Sequence, residues 1–334
     1  MPAESRSQLL VTGTSALTTA QADAVLECAV VARADSAVLE LTGPSVAECV
    51  QGLITNDIEA AGSDAFVFGA TLTPKGMIIS DLWVALRDGD AAVYVPLQGR
   101  DDVLATFARY VPPRLARVTD RTEEASVLHL VGPRTAELAG RAGLAVPDAG
   151  RAHAATLEGL SVEVAAPPHG QPFALQLTCP ESETDGIVAA LAAAGVVEGG
   201  PGALELARVA SGWPRLGAEI GERTLPQEVR FDELGAVSYE KGCYTGQETV
   251  ARLHFRGHAN WRLAGLSWEG EPDFTVAEVL QDQKPVGRVS SAVWLERLGH
   301  YVGLAMVRYE VGADLVVTAA GAAARTVSLP FQFP

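Results

Sequence analysis

Lys241-Gly242-Cys243-Tyr244-Thr245-Gly246-Gln247-Glu248 sets an ammonium, a thiol, two glycines and a capping pair in one short stretch. Thr245 and Glu248 have the T-x-x-E spacing of a capping box. That predicts Thr245 as a helix N-cap, with Glu248 reaching back to its backbone N–H. Thr249 to Phe255 contains no Pro or Gly and continues as a helix. Cys243 is therefore expected just outside a helix N-terminus. There the positive end of the helix dipole, with Lys241 nearby, suits a reactive or ligating sulfur. Gly242 and Gly246 let backbone or ligand approach closely. The same placement also fits an inert, half-buried loop thiol, and spacing alone leaves both readings open.

Reading outward, Leu41-Thr42-Gly43-Pro44 and Gln51-Gly52-Leu53-Ile54-Thr55-Asn56-Asp57 form one block. Leu72-Thr73-Pro74-Lys75-Gly76-Met77-Ile78-Ile79-Ser80-Asp81 forms a second. Arg208 to Gly217, Leu225-Pro226-Gln227-Glu228 and Val286-Gly287-Arg288-Val289-Ser290-Ser291 follow in order. Together with the octet, these blocks resemble the YgfZ family, folate-binding proteins tied to iron–sulfur enzyme maintenance and built on the fold of the glycine-cleavage T-protein, an aminomethyltransferase. The resemblance implies tetrahydrofolate as ligand and iron–sulfur assembly proteins or client enzymes as partners. It assigns Asp81, Arg208, Gly242, Tyr244 and Gln247 to ligand binding, and Cys243 with Lys241 to the reactive centre. One position departs from the T-protein pattern. A glutamate usually stands two places after the arginine at 208 and contacts the pterin; this chain has Ala210. An aminomethyltransferase is thus the alternative activity, and the departure counts against it.

Composition narrows the classes. The chain has 334 residues, 48% of them hydrophobic, enough for a large core and more than one domain. Its formal net charge is −16, with 25 Lys and Arg against 41 acids. That balance opposes nonspecific nucleic-acid binding, which calls for basic surface. Arg252, His254, Arg256, His258 and Arg262 cluster after the octet, as a solvated helix face or as a positive slot for an anionic ligand tail. Cysteines stand at 28, 49, 179 and 243 without C-x-x-C spacing, so no zinc site or disulfide framework is expected. The first ten residues lack a basic segment leading into an apolar run, and no stretch is long and apolar enough to span a bilayer. A soluble, cytoplasmic protein is expected.

Along the chain, Met1 to Ser7 reads as a frayed tail and Ser15 to Val31 as a short helix or arm. Residues 37–41 read as a strand and 45–53 as a helix, with Cys49 inward. Thr55-Asn56-Asp57 reads as a polar turn or, from the resemblance, as a ligand contact. Residues 65–73 and 77–86 form a hairpin around Thr73-Pro74-Lys75-Gly76. Asp81 lies inside its second strand, where a carboxylate must be paired, face a cavity or face solvent. Strands at 91–96, 115–119, 126–131, 161–165 and 173–177 alternate with helices at 101–110, 134–142, 182–194 and 203–211. Arg208 is either a ligand donor or the partner of Glu205 one turn back. Irregular alternation with hairpins indicates an α+β fold of mixed, antiparallel layers. Short runs at 264–268, 285–292, 303–307, 315–318 and 322–329 indicate a C-terminal β-barrel. The expected division is a core of two interleaved α+β subdomains over 1–258 and a barrel over 259–334.

Overall fold

The computed structural model describes residues 17–169 and 172–332. The expected frayed tail at Met1 to Ser7 lies outside the described residues. The described chain opens with α1 (Thr19–Glu27), capped by Thr18 and Gln21 in a reciprocal pair, and β1 (Val30–Arg33). A five-stranded sheet follows from β2 (Ser36–Thr42), β3 (Phe66–Leu72), β4 (Ile78–Leu86), β5 (Asp90–Pro96) and β6 (Arg117–Asp120), in the order β3-β4-β5-β2-β6. Helices α2 (Val46–Gln51) and α3 (Arg100–Tyr110) belong to the same unit.

The second sheet has six strands and recruits β1 from the start of the chain. Its other members are β7 (Ala125–Val131), β8 (Arg151–Leu157), β9 (Leu160–Ala166), β10 (Leu175–Pro180) and β11 (Val197–Glu198), in the order β11-β1-β7-β10-β9-β8. Helices α4 (Thr135–Arg141) and α5 (Thr184–Ala193) complete it. After α6 (Pro201–Ser211) and α7 (Gln247–Arg256), the chain closes a barrel from β12 (Trp261–Trp268), β13 (Glu278–Gln281), β14 (Lys284–Leu295), β15 (His300–Arg308), β16 (Val316–Ala319) and β17 (Ala322–Val327). The fold is α+β, as expected. The expected barrel strands form, joined by β13, whose polar ends hid it in the sequence. Strand β8 was also missed, because Arg151, His153 and Thr156 among its alanines leave it weakly apolar and without a clear period of two.

Period-two alternation explains how the sheets meet. On β4, Leu82, Val84 and Leu86 face outward to a cluster with Val50 of α2 and Phe107 of α3. Trp83 and Ala85 face inward, packing with Phe66, Phe68, Phe173 and Trp213. On β7 and β10, Leu128, Leu130, Leu175 and Leu177 pack outward with Leu138 of α4 and Ile187 and Leu191 of α5. Val127 and Val131 face the inward layer. The two sheets thus share one central layer, backed by helices on their far sides.

Candidate functional site

That central layer is not filled. A cavity of about 670 Å³ lies between the sheets, walled by Trp83, Tyr94, Phe173, Trp213 and Trp294 and edged by α1, α6 and β14. Asp81 lies on its wall, one alternation step from Trp83. It is 8% exposed, and its Oδ1 has no hydrogen-bond partner in the protein. The solvent-face reading of this residue is therefore excluded. Burial pushes its carboxyl up to about 7, while positive Arg208 pulls the other way.

Arg208 also lies on the cavity wall, yet its guanidinium is fully engaged. Nε and Nη2 donate to Glu205 at 2.8 and 2.6 Å, and Nη1 donates to Trp213 O at 2.7 Å and Glu219 Oε2 at 3.0 Å. Nη2 also donates to Ser291 Oγ at 2.6 Å. A guanidinium has five N–H donors, and these contacts use them all. The Glu205 pairing expected at one helical turn is present, and Arg208 has no donor left for a ligand. It acts on Asp81 through charge alone, and that charge is offset by Glu205, also on the wall, and by Glu219. Glu219 extends the network into the barrel, accepting from Ser290 and Ser291 at 2.7 Å each.

Two further polar residues stand on the wall. His129 of β7 lies opposite Gln176 of β10 in register, with Nε2 3.3 Å from Gln176 Oε1. Its ring stacks on Phe173 at 3.9 Å between centroids. Low-dielectric surroundings drop the imidazole to about 4, so it is neutral near pH 7. Gln176 is 1% exposed, and its Nε2 has no protein partner.

The octet is built differently from its expected form. Helix α7 begins at Gln247 with Gly246 as N-cap, and no side chain caps it. Thr245 does not cap, because the turn of β3–β4 is pressed against this corner. Gly246 has φ +83, and a Cβ there would lie 2.5 Å from Thr73 O. Gly76 mirrors it: a Cβ there would lie 2.8 Å from Thr249 Cβ. Two glycines thus let the second sequence block and the octet interlock.

Lys241 does not spend its charge on the thiol. It is 7% exposed, and Nζ donates to the carbonyl oxygens of Gln51, Ile54 and Asn56 at 2.6, 2.9 and 2.6 Å. Burial lowers its ammonium to about 8, with Asp57 and Glu59 opposing. Thr55 and Asn56 tie down the same segment. Thr55 Oγ1 donates to Ala236 O, and Asn56 Nδ2 donates to Phe68 O and Gly235 O. The polar-turn reading of Thr55-Asn56-Asp57 therefore holds. Tyr244 is buried, with its hydroxyl pushed up to about 12 by desolvation. Gln247 is half-buried, while Gly242 and Cys243 are exposed. Among the described residues, the octet contributes none to the cavity wall.

Comparison with known proteins places the chain. Residues 27–238 match the family model of the GCVT N-terminal domain. The chain is 32% identical over 237 residues to the tRNA-modifying protein YgfZ of Serratia proteamaculans, covering 70% of this chain and 68% of that one. It is 27% identical over 248 residues to the protein of the same name from Vibrio vulnificus, covering 72% and 71%. This chain belongs to the YgfZ family. Its fold matches the glycine cleavage system aminomethyltransferase T of Bartonella henselae with a TM-score of 0.80 at 15% identity, covering 94% of this chain and 90% of that one.

Within this YgfZ-family fold, the candidate residues divide into two places. Asp81 and Arg208 meet at the cavity. Lys241, Gly242, Cys243, Tyr244 and Gln247 gather with the 51–57 segment and the β3–β4 turn. The basic cluster does not make a positive slot. His254, His258 and Arg262 share a smaller cavity of about 270 Å³ with Arg230 and with three carboxylates, Glu228, Asp232 and Glu233. His254 stacks on Tyr239, and Arg262 Nε donates to Val311 O. His129, Gln176 and Glu219 were missed in the sequence. A polar residue interrupting an apolar β-run, the signal that singled out Asp81, would have found the first two. Among the described residues, no three His, Cys, Asp or Glu side chains are grouped to hold a metal ion, and no helix is long and apolar enough to cross a membrane.

Proposed function

We propose that this chain is a cytoplasmic tetrahydrofolate-binding accessory protein that serves the assembly or repair of iron–sulfur enzymes. The observation that carries the reading is the aromatic-walled cavity with the buried carboxyl of Asp81 on its wall, its Oδ1 without a partner in the protein. Such a site suits a planar, nitrogen-rich head group with N–H donors. Tetrahydrofolate, when bound, supplies a carrier for one-carbon units; Asp81 would hold its head group, and Trp83, Phe173 and Trp213 would exclude water around it.

Cys243 lies exposed and outside the cavity wall. Its sulfur would therefore act on what arrives from outside, an iron–sulfur assembly protein or a client enzyme, and not on the ligand in the cavity. Thiolate sulfur suits iron–sulfur chemistry, and one cysteine needs further ligands from a partner to share a cluster. The name of the relatives, tRNA-modifying, fits an action through client enzymes that modify tRNA. A net charge of −16 disfavours a direct grip on the nucleic acid.

Titration of the purified protein with tetrahydrofolate, beside Asp81→Asn and Cys243→Ser, tests the reading. Binding by wild type, weakened by Asp81→Asn and untouched by Cys243→Ser, is expected. No binding by wild type overturns it.

The second reading is a folate-dependent aminomethyltransferase. It draws on Asp81, whose raised proton affinity suits proton transfer near neutral pH. Ala210 and the remote octet weigh against it. Production of ammonia and methylenetetrahydrofolate from an aminomethyl-lipoyl carrier protein would favour it over the first.

A further inference from the structure

We infer that Gln176, paired through Oε1 with a His129 protonated at Nε2, is the residue that fixes which edge of the ligand's heterocycle enters the cavity, by donating to a ring carbonyl oxygen. The inference rests on the folate reading of the cavity and deepens it. Strand alternation on β10 sends Leu175 and Leu177 to the outer core and leaves Gln176 on the inner face. Its amide is 1% exposed, and its Nε2 is left without any partner in the protein. A buried donor without an acceptor is costly, and a ligand acceptor removes that cost.

The orientation of the amide and the tautomer of His129 are set together. His129 is neutral, so one ring nitrogen carries the proton and the other accepts. The amide is placed with Oε1 toward His129 Nε2, an oxygen that can only accept. In that arrangement His129 is the tautomer protonated at Nε2, which donates to Gln176 Oε1, and the Gln176 amino group faces away from it. The stack of His129 on Phe173 holds the ring in place. The wall therefore presents a donor at Gln176 and a carboxyl at Asp81. A planar heterocycle with a lactam carbonyl and N–H groups answers both. A ring bearing an amino group in place of that carbonyl would set donor against donor.

The test measures affinity for tetrahydrofolate and for its 4-amino counterpart, tetrahydroaminopterin, by anaerobic calorimetry. Wild type is expected to favour the 4-oxo compound by roughly tenfold or more, the effect of one hydrogen bond to a buried donor. Gln176→Met should bring the ratio toward one. His129→Phe leaves Gln176 in place but frees its amide to turn, and should shrink the ratio while affinity for the 4-amino compound rises. Near-ultraviolet circular dichroism confirms that each variant is folded; if Gln176→Met is not, His129→Phe carries the test. An unchanged ratio in the folded variants overturns the inference alone. So does a wild-type preference for the 4-amino compound, the result the opposite amide orientation would give. Failure of wild type to bind either compound overturns the folate reading and this inference with it.

Discussion

Arg208 Nη1 lies 3.0 Å from Glu219 Oε2, and the Glu219 side chain is wholly removed from solvent. This pair joins the cavity wall on α6 to the barrel, because Glu219 also accepts from Ser290 and Ser291 of β14. Removing one partner from a buried pair strands the other charge. Glu219→Ala is expected to lower unfolding stability by about 3–5 kcal/mol. Urea unfolding measures it; a loss under 1 kcal/mol would show that the network adds nothing to the joint.

Lys241→Met removes the ammonium shared by three backbone carbonyls between residues 51 and 56. Those oxygens are left unpaired in a buried corner. A loss of about 2–4 kcal/mol is expected, with ligand affinity in the cavity unchanged. Equal losses of stability and of affinity would contradict the separation of the two places.

Gly246→Ala forces a Cβ to within 2.5 Å of Thr73 O at a positive φ. The expected cost is about 1–3 kcal/mol, from strain and from moving the β3–β4 turn. Thr245→Ala, by contrast, should be nearly neutral, because its side chain does not cap α7. A thermal-unfolding comparison of the two decides between Gly246 and Thr245 as the residue that shapes this helix start.

The Asp81 carboxyl is raised in the folded protein to about 7 from an ordinary value near 3.8. The folded state therefore holds this proton more tightly than the unfolded chain does. Its stabilising effect is complete below about pH 4 and is lost as pH rises toward 7. Asparagine cannot ionise, so Asp81→Asn should match wild type near pH 4 and be more stable at pH 8. At about 1.4 kcal/mol per pK unit, the gain has a ceiling of about 4 kcal/mol. Unfolding at the two pH values checks the sign; a gain that is the same at both would mean the carboxyl stays charged throughout.

Cys243→Ser should fold, keep its affinity for tetrahydrofolate and fail to restore iron–sulfur enzyme activity in a deletion strain. Exposure of the thiol outside the cavity motivates the expectation. Full restoration would remove sulfur from the function.

Much of this was legible in the chain. The hairpin around Pro74 and Gly76 shows in its turn residues, and most helices show in their apolar spacing. Asp81 stands out because a carboxylate inside an apolar strand demands a reason. Other features were not legible. Lys241 beside a cysteine looks like an activating charge, yet its partners are carbonyls of a segment almost two hundred residues earlier. The Thr245 capping box is correct in spacing and absent in fact, because a contact with Thr73 sets the corner. His129 and Gln176 are 47 positions apart and meet only through strand register.

Local pattern determined the elements of this protein, since side-chain period and turn chemistry act within a few residues. It also determined the family, through short blocks in a fixed order. Only the tertiary structure decided which polar groups are satisfied. Lys241 and Arg208 find their partners inside the protein, while Asp81 and Gln176 are left facing a space. Hydrogen-bond satisfaction depends on distance in three dimensions, and no spacing along the chain encodes it.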